Sequence, residues 1–597
     1  MSFQLKFIQK LILQLFINNI NQLQILQQLN IKSNKMIQKL EKLKSQELSN
    51  LNSITINLQN CNIKCQDLEQ LFCIIKEGQY LQLLNINLSE QQLDKKCLEK
   101  LGEGIKLCKS IVQLQIDLQY CKIDDSSLSQ LMKRISSSKI LQNLALKLRQ
   151  NDIRKSGFQK FSKHIQKCIN LNNFTLQLQN NQIYDGLSIL GQGFKNCQNL
   201  TTLSLSFKWN QTSLEDAILF FSLIGQSQIN KLSLDFNQNK IGDSNIMPLC
   251  KGIAQCVNLI QFQLSLQKNE LSSQSMNQIM LSISSLINLN KLSLNLNQNE
   301  IGKDSYLIDL LSIENCKNLT KLSLFLVNNQ MKDIGAQKIG LALRNCINIK
   351  NLFLRLNENQ IEDEGISNIG YGIAKMAQLN ELQIYLKDNS ISDAGVTKFT
   401  LSLSFCKIIE FLVLDIQSNN ISENGALGIG MALSQLKSIS RLELNTYFNC
   451  LSTIGCQKLA IGISQCKFIT YLNMNLASNR ISDEGIKSFG IQILKCENIN
   501  TLNLDFNYNS ITVIGAKFFE QQLPKLKCLT NFTIDISYND FQKQDYNQLG
   551  IFIKRCQKIV ILSIFFSSTS PNERSVGQKF RWRCLKAQRT VLFNSKN

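Results

Sequence analysis

Hydrophobic and polar residues alternate along most of this chain in a fixed rhythm. In KLSLDFNQNKIGD, Leu232, Leu234 and Phe236 alternate with polar residues, and Asn239 follows. Period-2 alternation predicts a short strand with one buried face. The pattern returns every 30 residues, closed each time by Asn269, Asn299, Asn329, Asn359, Asn389, Asn419, Asn449, Asn479, Asn509 and Asn539. Backwards, the steps reach Asn210, Asn181 and Asn151, and weaker copies hold Cys121, Gln91 and Cys61 in the Asn position. A last copy, Leu562, Ile564 and Phe566, has Thr569 there. This gives 18 windows, beginning near Ile54.

After each strand the apolar period lengthens to 3.6. Ile339, Leu343 and Cys346 stand at i, i+4 and i+7, as do Ile369, Ile373 and Met376, which predicts a helix. An acidic position ahead of it (Asp333, Asp363, Asp393, Asp483) suits a helix N-cap or first turn. A Gly two residues later, at 335, 365, 395, 425, 455, 485 and 515, fits a tight turn into the helix. The recurrent Asn is expected to satisfy backbone groups where the chain turns, and to form a ladder when units stack. One strand and one helix cannot bury their apolar faces alone, so stacking must do it. The expected fold is an α/β solenoid with a parallel sheet and helices on its other side.

The unit L-x-L-x-L-x-x-N-x-I-x-D-x-G, followed by a helix and C-x-x-L, resembles the leucine-rich repeat. It is most similar to the long repeats of the ribonuclease-inhibitor and Ran-GTPase-activator type, over residues 51–570. The resemblance implies a curved horseshoe with a concave sheet and convex helices. One departure is an extra L-x pair before the Asn, which predicts a slightly longer strand. Residues 1–50 are rich in Gln, Asn, Leu and Lys, and read as a helical N-terminal cap. Residues 571–597 form a basic C-terminal tail with seven Lys and Arg against Glu573.

Composition narrows the chemistry. The chain carries +21, but the two ends hold over half of that excess, so the repeat body is only mildly basic. The single His, His164, falls in a helical stretch where a surface or cap role is expected, and it makes most zinc or His-dependent sites implausible. No phosphate loop, kinase signature or nucleophile elbow occurs. No cofactor, metal site or catalytic residue is expected. Ten of the 20 cysteines share one repeat position that Leu286, Met376, Leu436 and Leu526 occupy elsewhere, which marks an apolar core position holding free thiols. Neighbours such as Cys316 and Cys346 are expected to sit close together. Cys61 and Cys65 are too isolated for a metal site. No signal peptide or membrane-spanning stretch is evident, so a cytoplasmic, monomeric protein with reduced cysteines is expected.

Residues between the buried strand positions face the concave surface. Most are Ser, Asn, Gln or Thr. Repeats ten to fourteen differ, with Phe325 and Val327, Phe353 and Arg355, Tyr385 and Lys387, Val413 and Asp415, then Glu443, Tyr447 and Phe448. Exposed aromatics with Arg and mixed charge are the composition of interface hot spots. Trp209 with Lys208, and Lys147 with Arg149, are smaller candidates. The expected function is a non-catalytic scaffold or regulator that binds a protein partner on this face. The alternatives are a GTPase activator of the Ran type, implied by the resemblance at fold level only, and nucleic-acid binding through the basic tail.

Overall fold

The computed structural model describes residues 28–31, 51–542, 545, 558–565 and 590–592. The chain forms two units, Met1–Ser206 and Phe207–Asn597. In the first, strands recur from Ser53–Asn57 to Thr202–Ser206, all parallel and in register, so that Ile54, Leu84, Leu114, Leu144, Phe174 and Leu203 lie side by side. In the second, strands recur every 30 residues from Lys231–Asp235 to Ile561–Phe565. All 18 windows therefore hold a strand. A further strand, Gln28–Ile31, pairs parallel with Ser53–Asn57, and Thr590–Leu592 pairs with Ile561–Phe565. Apart from these two strands, the expected helical cap (1–50) and basic tail (571–597) lie outside the described residues.

Each unit is an α/β repeat solenoid, as the periodicity predicts. Buried strand residues meet apolar helix residues. Phe174 of a strand packs 6.2 Å from Phe161 of helix Lys155–Ile165, and Phe532 packs 6.4 Å from Phe519 of helix Val513–Gln522. One repeat departs from the pattern. After strand Lys291–Asn295, two 3-10 turns, Ser305–Leu307 and Leu311–Asn315, replace the α-helix. Asp309 bonds the Leu311 amide through its side chain, a local turn that competes with helix.

The Asn ladder is present and joins repeats as well as turns. Asn389 donates to Leu386 O (2.9 Å) in its own turn and to Leu356 O (3.0 Å) in the preceding repeat. Its Oδ1 accepts from the backbone amides of Asn359 and Ile361 (3.2 and 2.9 Å). Gln91 makes the equivalent contacts to Leu58, Leu88 and Ile63. The residue before the Asn is left-handed in repeat after repeat, including Asp388, Ser418 and Phe448.

The acidic residues stand in the first turns of their helices, as expected, and also reach the next repeat, whereas the Gly position departs from the expectation. Asp363 is the first residue of its helix and also holds the N-cap residue of the next one, accepting from the Ser392 amide (2.7 Å) and hydroxyl (2.5 Å). Asp333, Asp393 and Asp483 do the same for Glu362, Ser422 and Thr512. The recurrent Gly is not a tight turn. Among described glycines only Gly186 and Gly242 have positive φ. A Cβ on Gly395 would lie 2.7 Å from Asp363 Cα. At Gly365, Gly395, Gly425 and Gly515 the stacked helix starts approach too closely for a side chain.

The shared Cys position is buried at Cys108, Cys168, Cys197, Cys256, Cys316, Cys346, Cys406, Cys466 and Cys496. Cys556 lies outside the described residues. Several of these thiols donate to a carbonyl in the last turn of the preceding helix: Cys406 to Ile373 O (3.3 Å), Cys466 to Leu433 O (3.4 Å), Cys496 to Ile463 O (3.4 Å). Each of these carbonyls also accepts a backbone amide three residues on, and the small thiol supplies a second donor for its other lone pair inside an apolar wall. The expectation that all cysteines are free fails at one pair: Cys65 and Cys97 form a disulfide. Both lie at starts of neighbouring helices, with Cα atoms 4.5 Å apart. Their spacing of 32 residues, not 30, hides the pair from comparison position by position.

Candidate protein-binding surface

In-register parallel strands turn the repeat into rows. On the sheet's open face Phe325, Arg355, Tyr385 and Asp415 are direct neighbours, and so are Ser323, Phe353, Gln383, Val413 and Glu443. Neighbouring strands stand about 4.8 Å apart, close enough for side chains of adjacent repeats to touch.

Four of the nine sequence-derived residues form one continuous cluster. Phe325 and Phe353 have ring centroids 5.0 Å apart, and Phe353 and Tyr385 5.2 Å. The Arg355 guanidinium lies over both rings, 5.6 Å from Phe353 and 4.9 Å from Tyr385. Such cation–aromatic contacts hold the side chain in place on the surface. Arg355 Nε is buried without a hydrogen bond. Burial pushes the Tyr385 hydroxyl above its ordinary range, with Glu443 and Asp415 adding to this and Arg355 opposing it.

The other five residues stand around this cluster. Lys387 pairs with Asp388 at 3.4 Å. Asp415 and Glu443 line an open trough of about 560 Å³ with Tyr385, Asp505, Asp535 and Phe565. Burial pushes the Asp415 carboxyl up, against opposing contributions from the Gln417 amide, Asn445, Lys387 and Arg355. Tyr447 and Phe448 pair with each other at 6.0 Å, beyond the end of strand Arg441–Asn445. Phe448 holds a left-handed backbone (φ 54°) and is 62% exposed, an arrangement that costs a bulky residue energy.

A second cation–aromatic group escaped the sequence reading. Phe411, Arg441 and Tyr471 are register neighbours, and the Arg441 guanidinium sits 4.7 Å from the first ring and 4.2 Å from the second. Arg441 also bonds Glu443 at 2.6 Å. These residues occupy the first strand position, one before the leucine run. The 30-residue spacing of Phe411, Arg441 and Tyr471 was the signal. Asp505 and Asp535, in the row of Asp415, were missed in the same way.

The smaller candidates make local contacts. Lys208 lies 4.3 Å over the Trp209 ring, Lys147 pairs with Asp117 at 3.3 Å, and Arg149 sits 5.4 Å over Tyr120. His164 is half-buried and 3.4 Å from the Ser129 hydroxyl; burial, then Lys167 and Lys133, lowers its pKa. Among the described residues one group, Cys65, Asp94 and Cys97, gathers three metal-ligating side chains. The disulfide between its two sulfurs removes both thiolates from coordination.

Residues 352–370 and 465–490 match the family described as leucine rich repeat. Both stretches begin in or near a strand of the pattern above. No curated protein matches the chain.

Proposed function

The chain is a leucine-rich repeat protein, and on that premise we propose that it is a non-catalytic scaffold that binds a protein partner on the open face of the sheet in its second unit. Repeat solenoids offer extended surfaces for such contacts. The observation that carries the reading is the continuous Phe325–Phe353–Arg355–Tyr385 cluster. Aromatic and Arg side chains packed against one another lose little further freedom on binding, which favours them as anchors. The adjoining trough presents Asp415, Glu443, Asp505 and Asp535 beside Tyr385, and suits cationic groups at the rim of the same contact.

Affinity purification of the full chain under reducing conditions, followed by identification of bound protein, tests this reading. Changing Phe353, Tyr385 and Tyr447 to Ala together is expected to lower recovery of that partner by about tenfold or more, since each anchor carries about 1–2 kcal/mol or more. Undiminished recovery with an intact fold places the contact on another surface.

A further inference from the structure

The outward side of the helices in the second unit carries a feature that the repeat fold does not require. One exposed position recurs in each helical segment, five residues before the Cys position. In eight consecutive repeats it holds Leu281, Leu311, Leu341, Tyr371, Leu401, Met431, Ile461 and Ile491. Their exposure runs from 37 to 60%, so none is a core residue. The same position is polar at Glu103, Lys133, Lys163, Gln192, Ser222, Lys251 and Gln521, with Cys73 in the first repeat and Ile551 in the last. The solenoid therefore tolerates polar side chains there, and packing does not explain the apolar run. Phe405, one turn after Leu401, is 69% exposed and extends it.

Charge around the last six members of this stripe has one sign, whereas Leu281 has no charged flank and Leu311 has Glu314 three residues on. Among the positions three and four residues either side of 341, 371, 401, 431, 461 and 491 stand Lys338, Arg344, Lys375, Lys398, Lys458, Lys487 and Lys495, and no Asp or Glu. Residues at those spacings share a helix face. Among the described residues only Lys487 of this set is drawn into an ion pair, with Glu484 at 3.2 Å. The acidic residues Asp333, Asp363, Asp393 and Asp483 sit at the helix starts, engaged with the next repeat.

We propose that this stripe docks the protein on an anionic lipid bilayer surface. Exposed Leu, Ile, Met, Phe and Tyr side chains enter the headgroup–acyl boundary, while flanking Lys and Arg meet lipid phosphates and carboxylates. No helix among the described residues is long and apolar enough to cross a membrane, so the contact lies on the surface. Large apolar side chains repeated on a solvent face mark interaction sites, and the basic flanks from Leu341 to Ile491 select an anionic partner. The site is independent of the open sheet face, which remains available to a protein.

Co-sedimentation of the full chain with phosphatidylcholine vesicles, with and without phosphatidylserine at about a third of the lipid, tests the proposal. Anionic vesicles are expected to bind about tenfold or more tightly than neutral ones. Leu401→Ser, Met431→Ser and Ile461→Ser together should weaken that binding about tenfold or more, and Arg344→Gln with Lys398→Gln and Lys458→Gln should remove the preference for anionic lipid. These side chains are exposed, so the variants should melt like the parent. Absence of vesicle binding overturns the proposal. So does binding that neither set of variants changes, which assigns it to the basic termini. Equal dependence on the stripe for an acidic amphipathic peptide, without vesicle binding, overturns it in favour of a protein ligand.

Discussion

The carboxylate of Asp363 lies where a Cβ on Gly395 would have to go. Gly395 is the third residue of helix Asp393–Leu403, a position where helix propensity alone favours Ala by up to about 1 kcal/mol. Close approach gives the opposite sign. An added Cβ meets not only the carboxylate but the Asp363 backbone, and the hydrogen bonds that Ser392 donates to Asp363 must shift with it. Gly395→Ala is expected to destabilise the fold by about 1–3 kcal/mol, the usual cost of overpacking. Urea unfolding decides the sign, and a stabilised variant would show that the helix starts separate freely.

Asn389 joins two repeats through four backbone groups, and a hydrophobic side chain satisfies none of them. Each buried polar group left unpaired costs about 1–3 kcal/mol. Asn389→Ala is expected to lower stability by about 3 kcal/mol or more, whereas Ser390→Ala, at the exposed neighbour, should stay within about 0.5 kcal/mol. Asn389→Asp keeps the acceptors and loses the donors, so it should also destabilise. Equal melting temperatures for Asn389→Ala and Ser390→Ala would mean that the ladder adds nothing.

What the chain revealed as a sequence follows from where each signal is stored. Strand, helix and Asn positions were legible because each obeys a period within one unit. Gly395 was misread because its reason lies 32 residues earlier, at Asp363, and becomes visible only when helices stack. The Cys65–Cys97 bridge was missed for the same reason. The cluster of Phe325, Phe353, Arg355 and Tyr385 was found because alternation puts those side chains on the open face. Arg441, between Phe411 and Tyr471, was missed because the leucine run was taken as the whole strand, although the strand begins one residue earlier.

Asp415 supplies a pH-dependent prediction. Burial raises its carboxyl pKa in the fold, so the folded protein binds that proton more firmly than the unfolded chain does. The sign follows from linkage. Ionising the buried group costs the fold stability as pH rises from the ordinary carboxylate value of about 4 through the raised one, and the cost persists above it. Asp415→Asn removes the charge while keeping an acceptor for the Gln417 amide. The variant should melt above the parent at neutral pH, and the gap should close towards pH 3, roughly below both values. A variant that melts lower at neutral pH would mean that the favourable contacts of Asp415 with Gln417, Asn445, Lys387 and Arg355 outweigh its burial.

The thiols give the last test. Burial pushes Cys406 and Cys466 up to about 11 and Cys496 to about 12, and Cys466 adds to the shift of Cys496 because the two lie close together in neighbouring repeats. At pH 8 a thiol with a pKa near 11 is about one-thousandth thiolate, and only the thiolate reacts. Iodoacetamide on the native protein should therefore label the exposed Cys73, Cys450 and Cys528 and spare the buried set until denaturant is added. Mass spectrometry of the labelled peptides reads this directly. The same proximity makes Cys466 and Cys496 partners under strong oxidant once the repeats open. A disulfide there would draw Cys466 away from Leu433 O and Cys496 from Ile463 O, leaving each of these helix-end carbonyls with its backbone donor alone. The melting temperature should fall after treatment with diamide and recover with reductant. Unchanged melting, with the cross-link confirmed, would show that the thiol–carbonyl contacts do not stabilise the stack.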